Sequence, residues 1–260
     1  MIELRTLGAV DLRDDHGAEL RGVLAHPKRV ALLVYLTVAQ PRGFQRRDVL
    51  LGLFWPNLNQ QRARAALRKA IHVLRRALGA DTLVGRGDEE VGLREGALRS
   101  DTAAFERAAL EGRFGDALDL YRGEFLQGFF ISDAPEFEHW VDGERSRLHE
   151  QAGRAAWALA ERAALEQEDA LTVTWARRAF AFTPSDEAEL RHMVTLCYRV
   201  GNRAAALQAY TEFSARLLAE YGVRPSAETR NLIEAVKMSR DIRIAPPGER
   251  SPRPPSKRIP

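Results

Sequence analysis

Apolar residues between positions 57 and 79 recur at the spacing of one helix face. With residues placed about 100° apart around a helix axis, one side of the stretch consists of Ala63, Leu67, Ala70, Ile71, Leu74 and Leu78. Asn57 and Asn59 can each accept hydrogen bonds from the amides of a first helical turn. Gly79 is typical of the position where a helix ends. The pattern therefore predicts one uninterrupted helix with a buried apolar face.

The opposite face of this helix is basic. Its members are Arg62, Arg64, Arg68, Lys69, His72, Arg75 and Arg76, with Ala65 among them. No Asp or Glu occurs from position 57 to position 80. Like charges four residues apart on a helix repel each other by about 0.2–0.5 kcal/mol per pair. Such a face indicates a polyanionic partner such as the DNA major groove, and the alternative is a solvated basic face on a structural helix.

The residues before this helix predict strands and then two further helices. Apolar and polar residues alternate through residues 2–13, which is a strand or hairpin pattern, and residues 18–23 are read as a third short strand. Pro27 stands where a helix would begin, ahead of a strongly apolar helical segment. Residues 46–54 form a short amphipathic helix with Asp48 in its first turn, where the helix dipole favours an anion.

A hairpin is predicted directly after the basic helix. Residues 82–84 and 90–93 are short strand-like runs, and the Gly-rich segment 85–89 between them is a turn signal. A short helix followed by a longer basic helix is the order of a helix-turn-helix, whose second helix enters the groove. The hairpin then corresponds to the wing of a winged helix, with Arg86 at or near its tip.

Residues 101–240 show no convincing strand pattern and predict seven helices. The expected segments are 102–112, 114–122, 134–166, 169–182, 186–200, 203–221 and 226–239. A weak 34-residue repeat places Ala170 on Ala204 and Ala176 on Tyr210, and this is the tetratricopeptide period. Helix pairs of that kind stack and bind a protein or peptide. Trp140, Trp157 and Trp175 are expected to be packing residues rather than ligand-stacking ones.

Composition adds an asymmetry of charge to this picture. The 260-residue chain is long enough for two domains, and its net charge of +3 hides opposite halves. Residues 1–100 carry 17 Lys and Arg against 11 Asp and Glu, whereas residues 101–240 carry 17 against 23. The basic half therefore favours nucleic acid, and the acidic half favours another kind of partner. The single cysteine, Cys197, excludes an internal disulfide and is expected to be a buried packing thiol.

Several phrases of the sequence resemble one known family. LLGLFWP at 50–56 and ARAALRKAIHVLRRALG at 63–79 are similar to the Streptomyces antibiotic regulatory protein family. In that family a winged helix of response-regulator type precedes an all-helical bacterial transcriptional activator domain. The segments that resemble the entry and body of that second domain are 101–105, 121–126, 128–129, 140–141 and 144–145. The resemblance covers about residues 1–240.

The combined prediction is a mainly α protein in three segments. Residues 1–100 form a winged helix-turn-helix of α+β type, residues 101–240 an all-α, tetratricopeptide-like transcriptional activator domain, and residues 241–260 a disordered Pro- and Arg-rich tail. The resemblance implies a transcription activator that binds direct-repeat promoter sites. It also implies that residues 101–240 contact RNA polymerase or another regulatory protein. A tetratricopeptide-like adaptor or ligand sensor, whose winged helix does not bind DNA, remains the alternative.

Individual roles on double-stranded DNA follow from the chemistry of the side chains. The candidates for base edges are Gln61, Arg64, Arg68 and His72. The candidates for phosphate contacts are Arg62, Lys69, Arg75 and Arg76, with Arg46 and Arg47 on the preceding helix. Arg86 is expected to reach the minor groove or its phosphates.

Catalysis finds no support in the sequence. The six histidines are scattered, no Walker motif or G-x-S-x-G is present, and no cofactor or metal is expected. No run approaches 18 apolar residues and the N-terminus does not resemble a signal peptide, so a cytoplasmic protein without membrane contact is expected. The oligomeric state stays open, with a dimer on DNA as one alternative.

Overall fold

Two short strands begin the fold. The computed structural model describes residues 1–238, and the tail predicted at 241–260 lies outside the described residues. Strands β1 (Ile2–Arg5) and β2 (Asp11–Arg13) pair antiparallel, with Leu4 opposite Leu12. Both leucines are buried, as the alternating pattern requires when one face of a hairpin meets the core. The predicted N-terminal hairpin is confirmed.

The third strand predicted at residues 18–23 is wrong. Only Glu19 bridges back to Arg13. The chain then forms α1 (Arg21–Leu24), a single helical turn that buries Val23 in the core. A continued strand would place its side chains alternately on the two faces of the sheet, whereas the helical turn directs the Val23 side chain into the core.

The remaining N-terminal elements include the predicted helices and hairpin in the predicted order, together with two short strands that the patterns did not indicate. They are α2 (Pro27–Val38), β3 (Gln45–Arg46), α3 (Arg47–Phe54), α4 (Gln60–Leu78), β4 (Leu83–Arg86), β5 (Glu90–Leu93) and β6 (Leu98–Ser100). β3, β5 and β4 form one antiparallel sheet in that order. β6 pairs parallel with β1 and completes the first sheet, which the sequence patterns did not indicate.

All seven helices predicted in the second half are present. They are α5 (Asp101–Leu110), α6 (Phe114–Leu120), α7 (Pro135–Leu165), α8 (Asp169–Phe180), α9 (Glu187–Arg199), α10 (Arg203–Tyr221) and α11 (Ala227–Met238). Helices α7 and α8 pack together, as do α9 and α10, so that α8 and α10 occupy equivalent places in successive pairs. The mainly helical fold, with a winged helix followed by a helical repeat, is thus as predicted.

One hydrophobic core is shared by the winged helix and the first helices of the second half. The cluster of contacting buried side chains runs from Leu4 to Ala179. At its centre the ring of Phe54 on α3 lies 5.3 Å from that of Phe137 on α7. Tyr35 on α2 lies 4.9 Å from Trp140, also on α7. Aromatic side chains of α7 therefore pack directly against helices α2 and α3 of the winged helix.

Polar contacts join the same two halves at the loop after β1. The Asp101 carboxylate at the start of α5 accepts hydrogen bonds from the amides of Thr6 and Leu7, each at 2.9 Å. The amide of Gly8 donates to the Glu124 carbonyl at 3.0 Å. Because Thr6 and Leu7 are buried, these bonds satisfy amides that water cannot reach.

A second, smaller core holds α9, α10 and α11 together. It contains the thiol of Cys197, which is fully buried as predicted. Helix α11 is attached through Glu187 on α9, whose carboxylate accepts hydrogen bonds from the Ser226 hydroxyl and the Thr229 hydroxyl, each at 2.6 Å. The Ser226 amide donates to the same carboxylate at 3.0 Å. Helices α9–α11 thereby form a compact end of the fold.

Candidate nucleic-acid interface

The basic helix α4 begins at a side-chain cap. The Asn59 side-chain oxygen accepts a hydrogen bond from the Arg62 amide at 2.9 Å, which satisfies one of the free donors of the first turn. Of the two asparagines considered from the sequence, Asn59 is therefore the cap, while Asn57 lies outside the helix. At the other end, Gly79 has a φ of +104°, which L-residues rarely adopt, and the chain leaves the helix there.

The two faces of α4 are divided as the sequence predicts. The buried side chains are Ala63, Leu67, Ala70, Ile71, Leu74 and Leu78. The exposed side chains include Gln61, Arg62, Arg64, Arg68, Lys69, His72 and Arg76. At a rise of about 1.5 Å per residue, the basic face extends roughly 21 Å along the helix from Arg62 to Arg76.

The exposed cations of α4 have no acidic partner among residues 1–238. No hydrogen bond or ion pair within this range involves the side chain of Arg62, Arg64, Arg68, Lys69 or Arg76. Some exposed cations elsewhere do pair, as Arg113 does with both Glu111 and Asp116, but no other helix of the described residues carries such a row of unpaired cations on one face. The donors on α4 are thus free to bind an external anion at no cost in internal ion pairs.

Arg75 differs from its neighbours on the basic face. Its side chain is half-buried, and Nε donates a hydrogen bond to the Leu83 carbonyl of β4 at 2.9 Å. This bond fixes the first strand of the hairpin against the last turns of α4. The sequence indicated only a phosphate contact for Arg75, because the nearness of β4 is a property of the fold.

The hairpin of β4 and β5 places Arg86 beside the turn. Its guanidinium lies 4.1 Å from the ring centroid of Phe44 and 3.4 Å from the Glu90 carboxylate. Gly87 in the turn has a φ of +58°, which glycine adopts without strain. Two-thirds of the Arg86 side chain is still exposed, so the guanidinium is held against the sheet and open to solvent.

Arg46 and Arg47 sit at the entry to α3, in different surroundings. Arg46 is exposed and pairs with Asp48 at 2.5 Å, a contact that raises the pKa of Arg46 and lowers that of Asp48. Arg47 is half-buried beneath the hairpin, and its Nε is enclosed without a hydrogen-bond partner within the described range. A Cβ added at Gly85 would lie 3.6 Å from the Arg47 guanidinium, so the two residues are in close contact.

A cleft beside α4 brings in basic residues that the sequence patterns did not single out. It has a volume of about 310 Å³ and is lined by His26, Pro27, Lys28, Arg29, Trp55, Ala66, Lys69 and Ala70. Lys28 reaches Asp133 at 2.7 Å and lies 5.9 Å from the centroid of the Trp55 ring. Lys28 and Lys69 are far apart in sequence, and only the packing of α2 on α4 makes them neighbours.

Other kinds of site are not evident in the described part of the chain. Among residues 1–238 no group of three or more His, Cys, Asp or Glu side chains is placed to hold a metal ion. Within the same range no helix combines the length and apolar character needed to cross a membrane.

Comparisons with known proteins agree with this architecture. Residues 89–237, more than half of the chain, match the family model described as the bacterial transcriptional activator domain. The fold is similar to that of Mycobacterium tuberculosis EmbR, solved in complex with a low-affinity phosphopeptide, with a TM-score of 0.61 and 20% sequence identity. The match covers 91% of this chain and 65% of the EmbR chain, so this chain spans about two-thirds of that protein's length. No curated protein sequence matches the chain.

Proposed function

Because the chain belongs to the family of transcription regulators that carry the bacterial transcriptional activator domain, we propose that it binds specific DNA sequences through α4 and the β4–β5 hairpin. The observation that carries the proposal is the row of exposed cations on α4 without acidic partners in residues 1–238. A protein that neutralises phosphates with such side chains releases counterions, which supplies most of its affinity for DNA.

Position on the helix assigns different roles to these side chains. Gln61, Arg68 and His72 lie along the middle of the exposed face, with Arg64 at one edge, and they would meet base edges in the major groove. Ala65 leaves room among them for close approach. The other edge consists of Arg62, Lys69 and Arg76, which would contact phosphates of one strand.

The cations outside α4 would contribute less. Arg86 and Arg46 must each exchange an existing ion pair for a phosphate, which reduces the net gain. Arg75 and Arg47 are half-buried beside the hairpin, so they would act mainly by fixing its position, with any phosphate contact made by the outer guanidinium nitrogens. Arg86 remains the candidate for the minor groove.

The helical half would then contact a protein. Residues 101–240 are acidic overall, so DNA repels them, and stacked helix pairs offer a surface suited to a protein partner. RNA polymerase or another regulator is the partner that the family resemblance implies, with direct repeats as the operator. In this proposal α4 places the protein on DNA and α5–α11 act on the transcription machinery.

The test begins with duplexes selected from a random library by the full-length protein. Fluorescence anisotropy then measures the affinity for the selected site and for a scrambled one. We expect Arg68→Ala to weaken binding to the selected site by about 1–3 kcal/mol, roughly 5- to 150-fold, because a bidentate contact to guanine is lost. The matched control is Arg162→Ala, which removes an exposed arginine from the end of α7 and should leave the affinity unchanged.

Two results would overturn the proposal. One is the absence of any selected sequence at low salt. The other is an Arg68→Ala protein that binds as tightly as Arg162→Ala. The salt dependence distinguishes DNA binding from the adaptor alternative. The affinity for DNA falls steeply with salt, in proportion to the phosphates neutralised, whereas the affinity for a protein partner bound through an uncharged surface would not fall in this way.

A further inference from the structure

The cleft between α2 and α4, here named the α2–α4 cleft, is lined by basic side chains and by no acidic one. The titratable residues of its lining are His26, Lys28, Arg29 and Lys69, and the rest of the lining is apolar. A second cleft, of about 500 Å³, is instead lined by Glu124, Asp142, Arg145, Ser146, His149 and Glu150. An anion such as a phosphate would therefore be repelled from the second cleft and attracted to the first.

The cations of the α2–α4 cleft have few internal partners. Lys69 has none within the described part of the chain, and the Arg29 guanidinium makes one long hydrogen bond, to the Gly22 carbonyl at 3.4 Å. Lys28 pairs with Asp133, whose side chain is 59% exposed. Because an ion pair so open to water contributes little to stability, an external anion can replace Asp133 at Lys28.

The cleft adjoins the edge of α4 that we assign to phosphates. With residues about 100° apart around the helix axis, Ala66 and Lys69 lie about 60° from each other, so Lys69 belongs both to the cleft and to the edge with Arg62 and Arg76. The major groove is about 12 Å wide, and an α-helix with its side chains is about 10–12 Å across. A helix seated in the groove therefore has a DNA strand along each edge, and the strand beside Lys69 would pass the mouth of the cleft.

We propose that the α2–α4 cleft binds one phosphate of the DNA backbone, held between the ammonium groups of Lys28 and Lys69. The proposal rests on the DNA binding proposed for α4, and it extends the contact to the start of α2. Lysine binds phosphate as a point charge rather than in a fixed fork geometry, so two lysines can hold a backbone whose position is set by α4. Asp133, from the segment before α7, competes with the phosphate for Lys28.

The first test compares Lys28→Gln with the parent full-length protein on the selected and the scrambled duplexes. Each phosphate contact makes the affinity depend on salt with an exponent of about −0.9, so loss of one contact should weaken binding by about three- to eightfold near 0.1 M salt. The loss should be equal for both duplexes, and the salt slope should fall by about 1. Lys28→Arg, which keeps the charge, should bind like the parent. The matched control is Lys237→Gln, since Lys237 also pairs with an exposed carboxylate, that of Glu234, at 2.9 Å, and it should leave the affinity unchanged.

A second test locates the phosphate on the DNA. Duplexes with a neutral methylphosphonate at a single position remove one phosphate charge at a time. At one position in the sequence bound by each copy, the methylphosphonate should weaken binding of the parent but not of Lys28→Gln, because both changes remove the same contact. Asp133→Asn should strengthen binding by up to about fivefold, because it frees Lys28, and a misfolded variant could not show such a gain. Its control, Glu234→Gln, should leave the affinity unchanged.

Four results overturn the proposal. They are a Lys28→Gln protein that binds as tightly as Lys237→Gln, a loss of affinity confined to the selected duplex, methylphosphonates that weaken the parent and Lys28→Gln equally at every position, and an Asp133→Asn protein that gains no affinity. A Lys28→Gln protein that binds inorganic phosphate less tightly but both duplexes as before also overturns it, because the cleft then belongs to a small anion.

Arg68→Ala separates failure of this proposal from failure of the proposed function. If Arg68→Ala loses the selected site while Lys28→Gln and Lys237→Gln bind alike, α4 binds DNA and the α2–α4 cleft does not. A parent protein that selects no sequence overturns both proposals.

Discussion

Replacing Asp101 with alanine should destabilise the protein more than replacing Ser100, the cap residue that precedes it. The carboxylate accepts hydrogen bonds from the amide and hydroxyl of Thr6, at 2.9 and 3.0 Å, and from the amide of Leu7 at 2.9 Å. Thr6 is fully buried and Leu7 is 3% exposed. In the variant both amides lose their acceptor in a place that bulk water does not reach.

The magnitude follows from the number of groups left without a partner. Each buried amide that loses its hydrogen bond costs about 1–3 kcal/mol, so the two amides together give roughly 2–6 kcal/mol. The total stability of a domain is about 5–15 kcal/mol, and the variant should therefore unfold at a much lower urea concentration. Asp101→Asn should also destabilise the protein, because its amide group would direct hydrogens at the same donors.

Ser100→Ala is the matched control at the neighbouring position. The Ser100 hydroxyl caps α5 by accepting from the Ala103 amide at 3.3 Å, and loss of such a cap costs about 1 kcal/mol. Urea unfolding followed by tryptophan fluorescence measures both variants. If Asp101→Ala costs no more than Ser100→Ala, the loop after β1 is not anchored by this carboxylate and the reasoning is refuted.

Three further predictions test the interface, the sheet and the last helix. Arg62→Ala should weaken DNA binding equally for all sequences and reduce the salt slope by about 1, and an unchanged slope would argue against a phosphate contact. Gly92→Ala should lower the free energy of unfolding by about 1–3 kcal/mol, measured by thermal unfolding, because the added Cβ would lie 2.9 Å from the Gly43 carbonyl oxygen. The control is Gly52→Ala, where a Cβ meets open space on α3, and it should raise the free energy of unfolding by about 0.5–1 kcal/mol. Burial raises the pKa of Glu187, but hydrogen bonds from the start of α11 more than offset this effect, so the pKa of Glu187 in the folded protein lies below 4.5. The ionised Glu187 should therefore stabilise the fold above pH 4.5, and this stabilisation should be lost as the pH falls further. Glu187→Gln should remove that pH dependence in urea titrations at several pH values.

Elements set by local periodicity could be predicted from the sequence. The buried face of α4 consists of the residues that its spacing indicated, from Ala63 to Leu78. The N-terminal hairpin, the β4–β5 hairpin and the seven helices of the second half are also where the patterns placed them. These features depend on contacts within about ten residues, for which the alternation of polar and apolar side chains carries the information.

Features that depend on distant residues could not be predicted. Residues 18–23 have the apolar content of a strand but pair with β2 only through Glu19, whereas the third strand of the sheet is β6, which pairs with β1 from some 95 residues along the chain. The hydrogen bond from Arg75 to Leu83 likewise exists only because the hairpin folds back on α4. The roles of single arginines on DNA remain predictions, since exposure and charge describe a basic face and do not identify the base that any side chain would meet.

The core shared by the winged helix and α7 has a consequence for the geometry of promoters. Since Phe137 and Trp140 of α7 lie among the aromatic rings of α2 and α3, α7 has little freedom to swing relative to α4. Under the proposed function, this arrangement would project α5–α11 from one side of the DNA. Inserting about five base pairs between operator and promoter, half a helical turn, would turn those helices away from the polymerase, whereas about ten would restore their position. Rotational phase, rather than distance alone, would then govern activation.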